Sequence, residues 1–318
     1  MSQFIEKLDD YKNQGKVYVM ADLGSNYKSK KDLMDAIWLA KALKIDAIKY
    51  QWFSSGELYG PRPHLNDAFP IGELSYEAKI KDIDLMCTAF SPDGYAALDS
   101  MVSAHKVASS EMSHIRILEK LKALNKPVVL SCGAHSLPDI QRVLDFMKGT
   151  EIVLMHANSK YPAKYSDLQK FGQIKQLGVK HIGYSDHTTS IDVVPQYFKD
   201  QGVTVYEKHW NPFKYTDTPD AVQSLDNDEF KALTQILHGE LPAYTEENEA
   251  RLCFIRRVVA TQDIGRGDVL REGVNMGIFR SKSPDAKGVN PFVIGHLEGK
   301  SATREIKQGE GISLSDIK

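Results

Sequence analysis

Residues 203–209 read Val-Thr-Val-Tyr-Glu-Lys-His (VTVYEKH). The run opens on β-branched residues and ends on a carboxylate, an ammonium and an imidazole. A strand covered on both faces by helices is apolar along its length, so a charged tip has something to face. Seven other short runs share the change in character: VYVMADL (17–23), DAIKYQ (46–51), DLMCTAF (84–90), HKVASSE (105–111), PVVLSCG (127–133), EIVLMHA (151–157) and HIGYSD (181–186).

Helical patterns separate most of these runs. Residues 139–148 place Ile140, Val143, Leu144 and Met147 at i, i+3, i+4 and i+7, with Pro138 near the start and Gly149 after the end. Residues 31–43 repeat the pattern with Leu33, Ala36, Ile37 and Ala40. The interval from Trp52 to Ile83 is weak. Gly, Pro and His are frequent there, and a helix is expected to be missing or replaced by a loop. Eight βα units in about 240 residues fit an α/β fold, the (β/α)8 TIM barrel, whose active site lies at the C-terminal ends of the strands. The competing fold, an open doubly wound sheet, calls for a glycine-rich phosphate turn after its first strand. The turn here, DLGSNYKSK (22–30), has one glycine.

The totals narrow the function classes. The chain has 318 residues, 42% apolar and 26% charged, with a net charge of -2. That balance offers no electrostatic case for binding nucleic acid or an anionic membrane. Cys87, Cys132 and Cys253 are odd in number and scattered, which fits a reducing compartment rather than a disulfide framework or a structural zinc site. The first residues, MSQFIEKLDDYKNQGK, lack the apolar core of a signal peptide. No run approaches the roughly 18 apolar residues of a membrane span. The expected location is cytoplasmic.

The strand tips carry Asp22; Lys49 and Gln51; Thr88; Lys106, Ser109 and Glu111; Ser131; His156 to Ser159; Ser185, Asp186 and His187; and Glu207 with His209. Taken singly, each has a plain structural reading. Hydroxyls such as those of Thr88 and Ser131 cap helix starts, and Glu207-Lys208 reads as a local charged pair. Taken together, on a barrel, they converge on one mouth. Two lysines among hydroxyls point to a phosphorylated or carboxylated substrate, and two histidines on neighbouring strand ends point to a divalent metal.

After Leu241 comes a polar connector, PAYTEENEA (242–250). The expected division is a barrel over 1–241, a linker over 242–255 and a small domain over 256–318. Within the last, ATQDIGRGDVL (260–270) matches ATREIKQGEGI (302–312) in Ala-Thr, an acid, Ile, Gly, an acid and a closing aliphatic. Two copies suit a small, loop-rich β module with pseudo-twofold symmetry, each Gly permitting a tight turn. The segment FRSKSPDAKGVNPF (279–292), with Arg280, Lys282 and Lys287, reads by composition as a solvated loop.

The order of AIKYQ, KVASSE, VVLSCGA, SDHT, YEKHW and TPDAVQSL, followed by the two-copy module, resembles the sialic acid synthase family from about Val17 to the end. The two histidines are 22 residues apart and Asp220 follows 11 later. The resemblance implies a synthase barrel joined to a C-terminal antifreeze-like (SAF, β-clip) domain, as a domain-swapped homodimer. It implies condensation of phosphoenolpyruvate with an N-acylated aldose, such as N-acetylmannosamine or a modified relative. By the same resemblance His187 and His209 bind the metal, Mn2+ by preference with Mg2+ as substitute. Lys49, Thr88, Lys106, Ser109, Ser131, Ser159 and Ser185 match positions that bind phosphoenolpyruvate. Asp22, Glu111 and Asp220 match catalytic positions, Asp220 on the sugar side. Gln51, Tyr161, Phe254 and Arg280 match positions facing the sugar, the last reaching over from a partner subunit.

The chain departs from the family's usual EIGxNHNG pattern after the first strand. It has Asp22 in place of Glu, and Tyr27 in place of His. The segment between Gln51 and Thr88 is also expected to be shortened. These changes fall on the sugar side, which favours an altered acceptor; a binding paralogue with impaired turnover is the alternative.

Overall fold

The computed structural model describes residues 2–52, 70–163, 168–189, 194–240, 256–280 and 288–318. Among these, eight parallel strands close into a barrel in sequence order: β1 (Tyr18–Asp22), β2 (Ala47–Gln51), β3 (Asp84–Thr88), β4 (Ala104–Val107), β5 (Val128–Ser131), β6 (Ile152–Ala157), β7 (His181–Asp186) and β8 (Val205–His209). Closure comes from β8 pairing with β1, with His209 opposite Asp22. Each expected run supplies one strand, and the open-sheet alternative is excluded. The fourth run ends sooner than expected, because Ser109–Glu111 turn into a short 3-10 helix.

Helices α2 (Lys30–Ala42), α3 (Ile71–Lys81), α4 (Pro92–Leu98), α5 (Ile115–Leu124), α6 (Leu137–Phe146), α7 (Leu168–Lys175), α8 (Val194–Asp200) and α9 (Asn227–His238) follow the strands. The expected loss of a helix between Trp52 and Ile83 is overturned by α3. It buries Ile71, Leu74 and Ala78 on one face but exposes Tyr76 and Ile80 on the other, so its amphipathic signal is faint. It also starts without a side-chain cap and ends on Asp82 in the left-handed region instead of on glycine.

Period-2 alternation along each strand divides the protein into two apolar layers. Val19, Ala21, Ile48, Tyr50, Leu130 and Tyr184 face outward and pack under Leu33, Ile37, Leu118 and Phe230 of the helices. Tyr18, Met20, Ala47, Met86, Val129, Val153 and Val205 face inward and fill the N-terminal half of the barrel. An amphipathic helix before the first strand, α1 (Gln3–Asn13), joins that inner layer with Phe4, Ile5 and Leu8. Truncating the fully buried Leu8 to Ala would cost about 2–5 kcal/mol. Two residues further along the same inward face the composition turns from apolar to charged.

The chain divides into two compact units, Met1–Glu240 and Leu241–Lys318. The described part of the expected linker is nil, since residues 241–255 lie outside the described residues. In the second unit β9 (Arg256–Ala260) pairs antiparallel with β10 (Met276–Arg280) over a core of Val258, Ile264, Leu270, Leu297, Ile306 and Ile312. The repeat is a true local dyad. Ile264 and Ile306 exchange backbone hydrogen bonds at 2.8 and 2.9 Å. Gly267 N donates to Ala302 O, and its counterpart Gly309 N to Ala260 O, both at 2.8 Å. Both glycines have positive φ, +96° and +83°, where a side chain is strained.

Candidate active site

The inward residues beyond the apolar layer form a buried ionic cluster. In the β1–β2 register Asp22 stands opposite Lys49, and their side chains close an ion pair. Lys49 also lies 3.3 Å from Oε1 of Glu207, whose Oε2 lies 3.2 Å from Lys106. Lys106 Nζ donates to Ser131 Oγ at 2.8 Å. All four charged side chains are at most 7% exposed. Burial alone would raise the Glu207 pKa, but Lys106 and Lys49 outweigh it and hold the carboxyl down at about 2. For Lys106 burial wins, and its pKa is lowered despite Glu207.

Glu207 is the residue that the sequence reading undervalued. Neighbours on a strand point to opposite faces, so Glu207 and Lys208 are not a local pair. Glu207 faces the mouth, while Lys208 faces outward and binds Asp186 at 3.0 Å. The signal was available: Met20 and Val205 are inward, and Glu207 shares their parity.

Hydroxyls gather beside the lysines. Ser109 Oγ accepts from Gly133 N at 3.0 Å. A Cβ on Gly133 would lie 2.4 Å from Ser159 Oγ and 2.9 Å from both Ser109 Oγ and Ala157 O. The missing side chain thus leaves a cradle rimmed by two hydroxyls and the Ala157 carbonyl. Thr88 Oγ1 is buried with no partner among the described residues, and it stands opposite Gln51 in the β2–β3 register. Glu111 is half-buried in the 3-10 turn beyond Lys106.

His187 and His209 stand at the tips of β7 and β8 with ring centroids 5.6 Å apart and planes at 45°. His187 Nδ1 donates to the Asn158 carbonyl at 2.5 Å, which makes Nε2 the acceptor, and Ser185 Oγ donates to it at 3.3 Å. Burial first, and then the His209 imidazole, press the His187 pKa down to about 3, so the ring is neutral. His209 Nδ1 is buried without a hydrogen-bond partner among the described residues, and its Nε2 is 3.5 Å from Asp22. Two imidazoles at this spacing offer the nitrogen donors that a divalent transition metal takes, although no group of three or more His, Cys, Asp or Glu among the described residues is arranged to hold an ion. Tyr161, half exposed, lies tilted against His187 with ring centroids 4.0 Å apart and edge-on to His209 at 6.0 Å.

The loop after β1 is bound to the loop after β8. Asp220 accepts from Ser25 N and Oγ at 2.8 and 2.7 Å and from Gln223 at 2.9 Å. Burial opposes the charge of Asp220, but His209 and the Ser25 hydrogen bonds prevail and lower its pKa. Gly24, at φ +51°, must be glycine: a Cβ there would meet Asp220 Oδ2 at 2.5 Å and His209 Nδ1 at 3.1 Å. Asn26 reaches the Trp210 carbonyl at 3.0 Å. Tyr27 is partly buried and packs against the outer apolar layer.

The barrel thus brings together Asp22, Lys49, Lys106, Ser109, Ser131, Ser159, Tyr161, Ser185, His187, His209 and Asp220 at its C-terminal end. Gln51 and Thr88 end their strands on that side and Glu111 lies in the turn after β4, but none of the three makes a side-chain contact to that group among the described residues. Phe254 lies outside the described residues. Arg280 closes β10 of the second unit.

A family model described as NeuB family matches residues 66–244. The chain is 29% identical over 254 residues to N,N'-diacetyllegionaminic acid synthase of Campylobacter jejuni, covering 75% of this chain and 74% of that one. It is 27% identical over 260 residues to pseudaminic acid synthase of Helicobacter pylori, covering 77% and 74%. Among solved structures, the spore coat polysaccharide biosynthesis protein SpsE of Bacillus subtilis has a TM-score of 0.64 at 24% identity, over 95% of each chain. The N-acetylneuraminic acid synthetase of Leptospira borgpetersenii, solved with citrate, has a TM-score of 0.66 at 24% identity, over 75% of this chain and 92% of that one. Both share the fold. No helix among the described residues is long and apolar enough to cross a membrane.

Proposed function

The chain belongs to the NeuB family, and from that premise we propose that it joins phosphoenolpyruvate to an N-acylated aldose, giving a nonulosonic acid and inorganic phosphate. The observation that carries the reading is the pairing of two buried lysines, Lys49 and Lys106, with a hydroxyl cradle around Gly133 and two imidazoles beside it. Such a pocket suits a small substrate with a carboxylate at one end and a phosphate at the other.

In this reading Lys49 and Lys106 exchange their carboxylate partners for those of the substrate. Ser109, Ser131, Ser159, Ser185 and Thr88 supply hydroxyl donors, and the Thr88 hydroxyl without a partner gains one. Holding both reactants in register supplies much of the rate. The enol's methylene carbon forms a bond to the open-chain aldehyde carbon. Water adds to the former enol carbon, and the carbon–oxygen bond to phosphate breaks as phosphate leaves. Asp22, Glu111 and Glu207 are the carboxylates placed to hold or move the protons of these steps.

His187 and His209 would hold Mn2+, with Mg2+ as substitute; a divalent ion there polarises the aldehyde oxygen as a Lewis acid. Gln51, Tyr161 and Asp220 face the sugar. Phe254 and Arg280 serve it from the second unit of a partner subunit in a domain-swapped homodimer. The substitutions at Asp22 and Tyr27 favour an acceptor other than unmodified N-acetylmannosamine.

The test is phosphate release from phosphoenolpyruvate with Mn2+ and a panel of N-acylated hexosamines, including diacetamido trideoxy sugars. Release that depends on one sugar supports the reading and names the acceptor. Absence of release with every sugar, despite phosphoenolpyruvate binding, sinks it.

A further inference from the structure

Asp186 and Lys208 are each 1% exposed and lie on the far side of β7 and β8 from the mouth. They have no part in the chemistry above. Each immediately precedes one of the two imidazoles: Asp186 before His187, Lys208 before His209. They are register partners across the β7–β8 ladder. The ammonium of Lys208 binds Asp186 Oδ2 at 3.0 Å and also the Thr188 carbonyl. Tyr206 donates its hydroxyl to the same Oδ2 at 2.8 Å, and Oδ1 accepts from Thr188 N at 2.9 Å. The residues on both sides of His187 are therefore tied to β8 through one side chain.

We propose that the Asp186–Lys208 pair is a strut that sets the separation and orientation of His187 and His209, and so the metal affinity of the mouth. The inference rests on the reading that these histidines hold a divalent ion. Successive strand residues leave the backbone on opposite faces, so locking the outer pair locks the backbone from which the inner pair springs. Among the described residues Tyr206, whose hydroxyl meets Asp186, packs edge-on against Tyr184, which stacks on Phe198. Burying two charges there gains little stability over well-packed apolar side chains, and fixing a geometry is an attested use of such pairs. Asp186 and Lys208 are positioning residues, since neither touches the mouth.

The experiment measures Mn2+ affinity by the electron paramagnetic resonance of unbound Mn2+, and phosphoenolpyruvate affinity by calorimetry without metal. It compares the full-length wild type with Asp186→Asn and with the double variant Asp186→Asn/Lys208→Met. The double variant removes both charges, so no unpaired ion stays buried; the single one keeps one acceptor oxygen, for Thr188 N, and its amide NH2 can donate to the Tyr206 hydroxyl. Supporting bonds behind metal ligands are worth 10–100-fold in metal affinity, and a loss of about tenfold or more is expected here, with phosphoenolpyruvate affinity within twofold of wild type. Wild-type Mn2+ affinity in either folded variant overturns the strut. Equal loss of both affinities, or failure of both variants to fold, makes the pair a stability element and overturns it too. A wild type that binds no Mn2+ instead defeats the metal reading itself, which separates the two failures.

Discussion

The carboxylate of Glu207 stands 3.2 Å from the ammonium of Lys106, both buried at the mouth of the barrel. Replacing Lys106 by Met leaves Glu207 with Lys49 alone. Breaking a buried pair on one side costs about 3–5 kcal/mol, and the substrate pocket loses a cation as well. The double variant Lys106→Met/Glu207→Gln should recover most of the stability and none of the phosphoenolpyruvate affinity. Urea denaturation and calorimetric titration separate the two effects. Tight phosphoenolpyruvate binding by Lys106→Met would show that the anion pocket lies elsewhere.

Gly133→Ala places a methyl where Ser159 Oγ, Ser109 Oγ and the Ala157 carbonyl already crowd. Two of these neighbours are side chains that can turn away, so the fold should survive with a loss of about 1–3 kcal/mol. Turning them away dismantles the cradle. Phosphoenolpyruvate affinity should fall at least tenfold while the far-ultraviolet circular dichroism spectrum is unchanged. Unchanged affinity would remove Ser109 and Ser159 from the binding set.

Arg280→Ala should raise the sugar KM and leave phosphoenolpyruvate binding intact, because the proposed function gives this side chain a contact with the acceptor sugar alone. An effect confined to one substrate is the signature of a binding contact specific to it. Collapse of phosphoenolpyruvate binding would mean that Arg280 is misassigned.

His105 is fully buried, edge-on to Tyr95, with Nε2 2.9 Å from Asp99. Burial lowers its pKa below the ordinary 6.5 more than Asp99 raises it. Below about pH 6.5 the unfolded chain therefore binds a proton that the native chain resists. Stability is greatest above that value and declines as pH falls through it. His105→Gln keeps a donor for Asp99 and cannot titrate. Its urea midpoint should drop less between pH 7.5 and 5.5 than that of wild type, with His181, also depressed by burial, accounting for part of the slope that stays. Identical slopes would exclude His105 as a contributor.

Gly267 and Gly309 occupy equivalent places in the dyad of the second unit, at φ +96° and +83°. Alanine at either position pays the left-handed strain of about 1–2 kcal/mol. The two variants should lower stability by similar amounts, read as equal shifts in the thermal unfolding of the full chain. A large difference between them would mean that the repeat is symmetric in backbone only.

Much of this protein is written locally. The eight strands, most of the helices and the dyad follow from periods of 2 and 3.6 and from glycines placed where turns need them; all are short-range properties. The change from apolar to charged within each strand likewise located the mouth before any coordinate was known. α3 was illegible because its apolar face is matched by exposed Tyr76 and Ile80, whereas α1 does carry Phe4, Ile5 and Leu8 on one helical face but precedes the first strand and so belongs to no βα unit.

Tertiary structure alone decided which tips meet. Closing the barrel set β8 against β1, so that Glu207 became the shared partner of Lys49 and Lys106 inside the barrel instead of the neighbour of Lys208. It brought Ser109 and Ser159 together over the bare Cα of Gly133, and it tied Asp186 to Lys208 behind the two imidazoles. Composition and spacing specify which side chains point inward. Their partners depend on strand register and barrel closure, which are contacts between segments far apart in the chain and leave no trace in any short stretch of it.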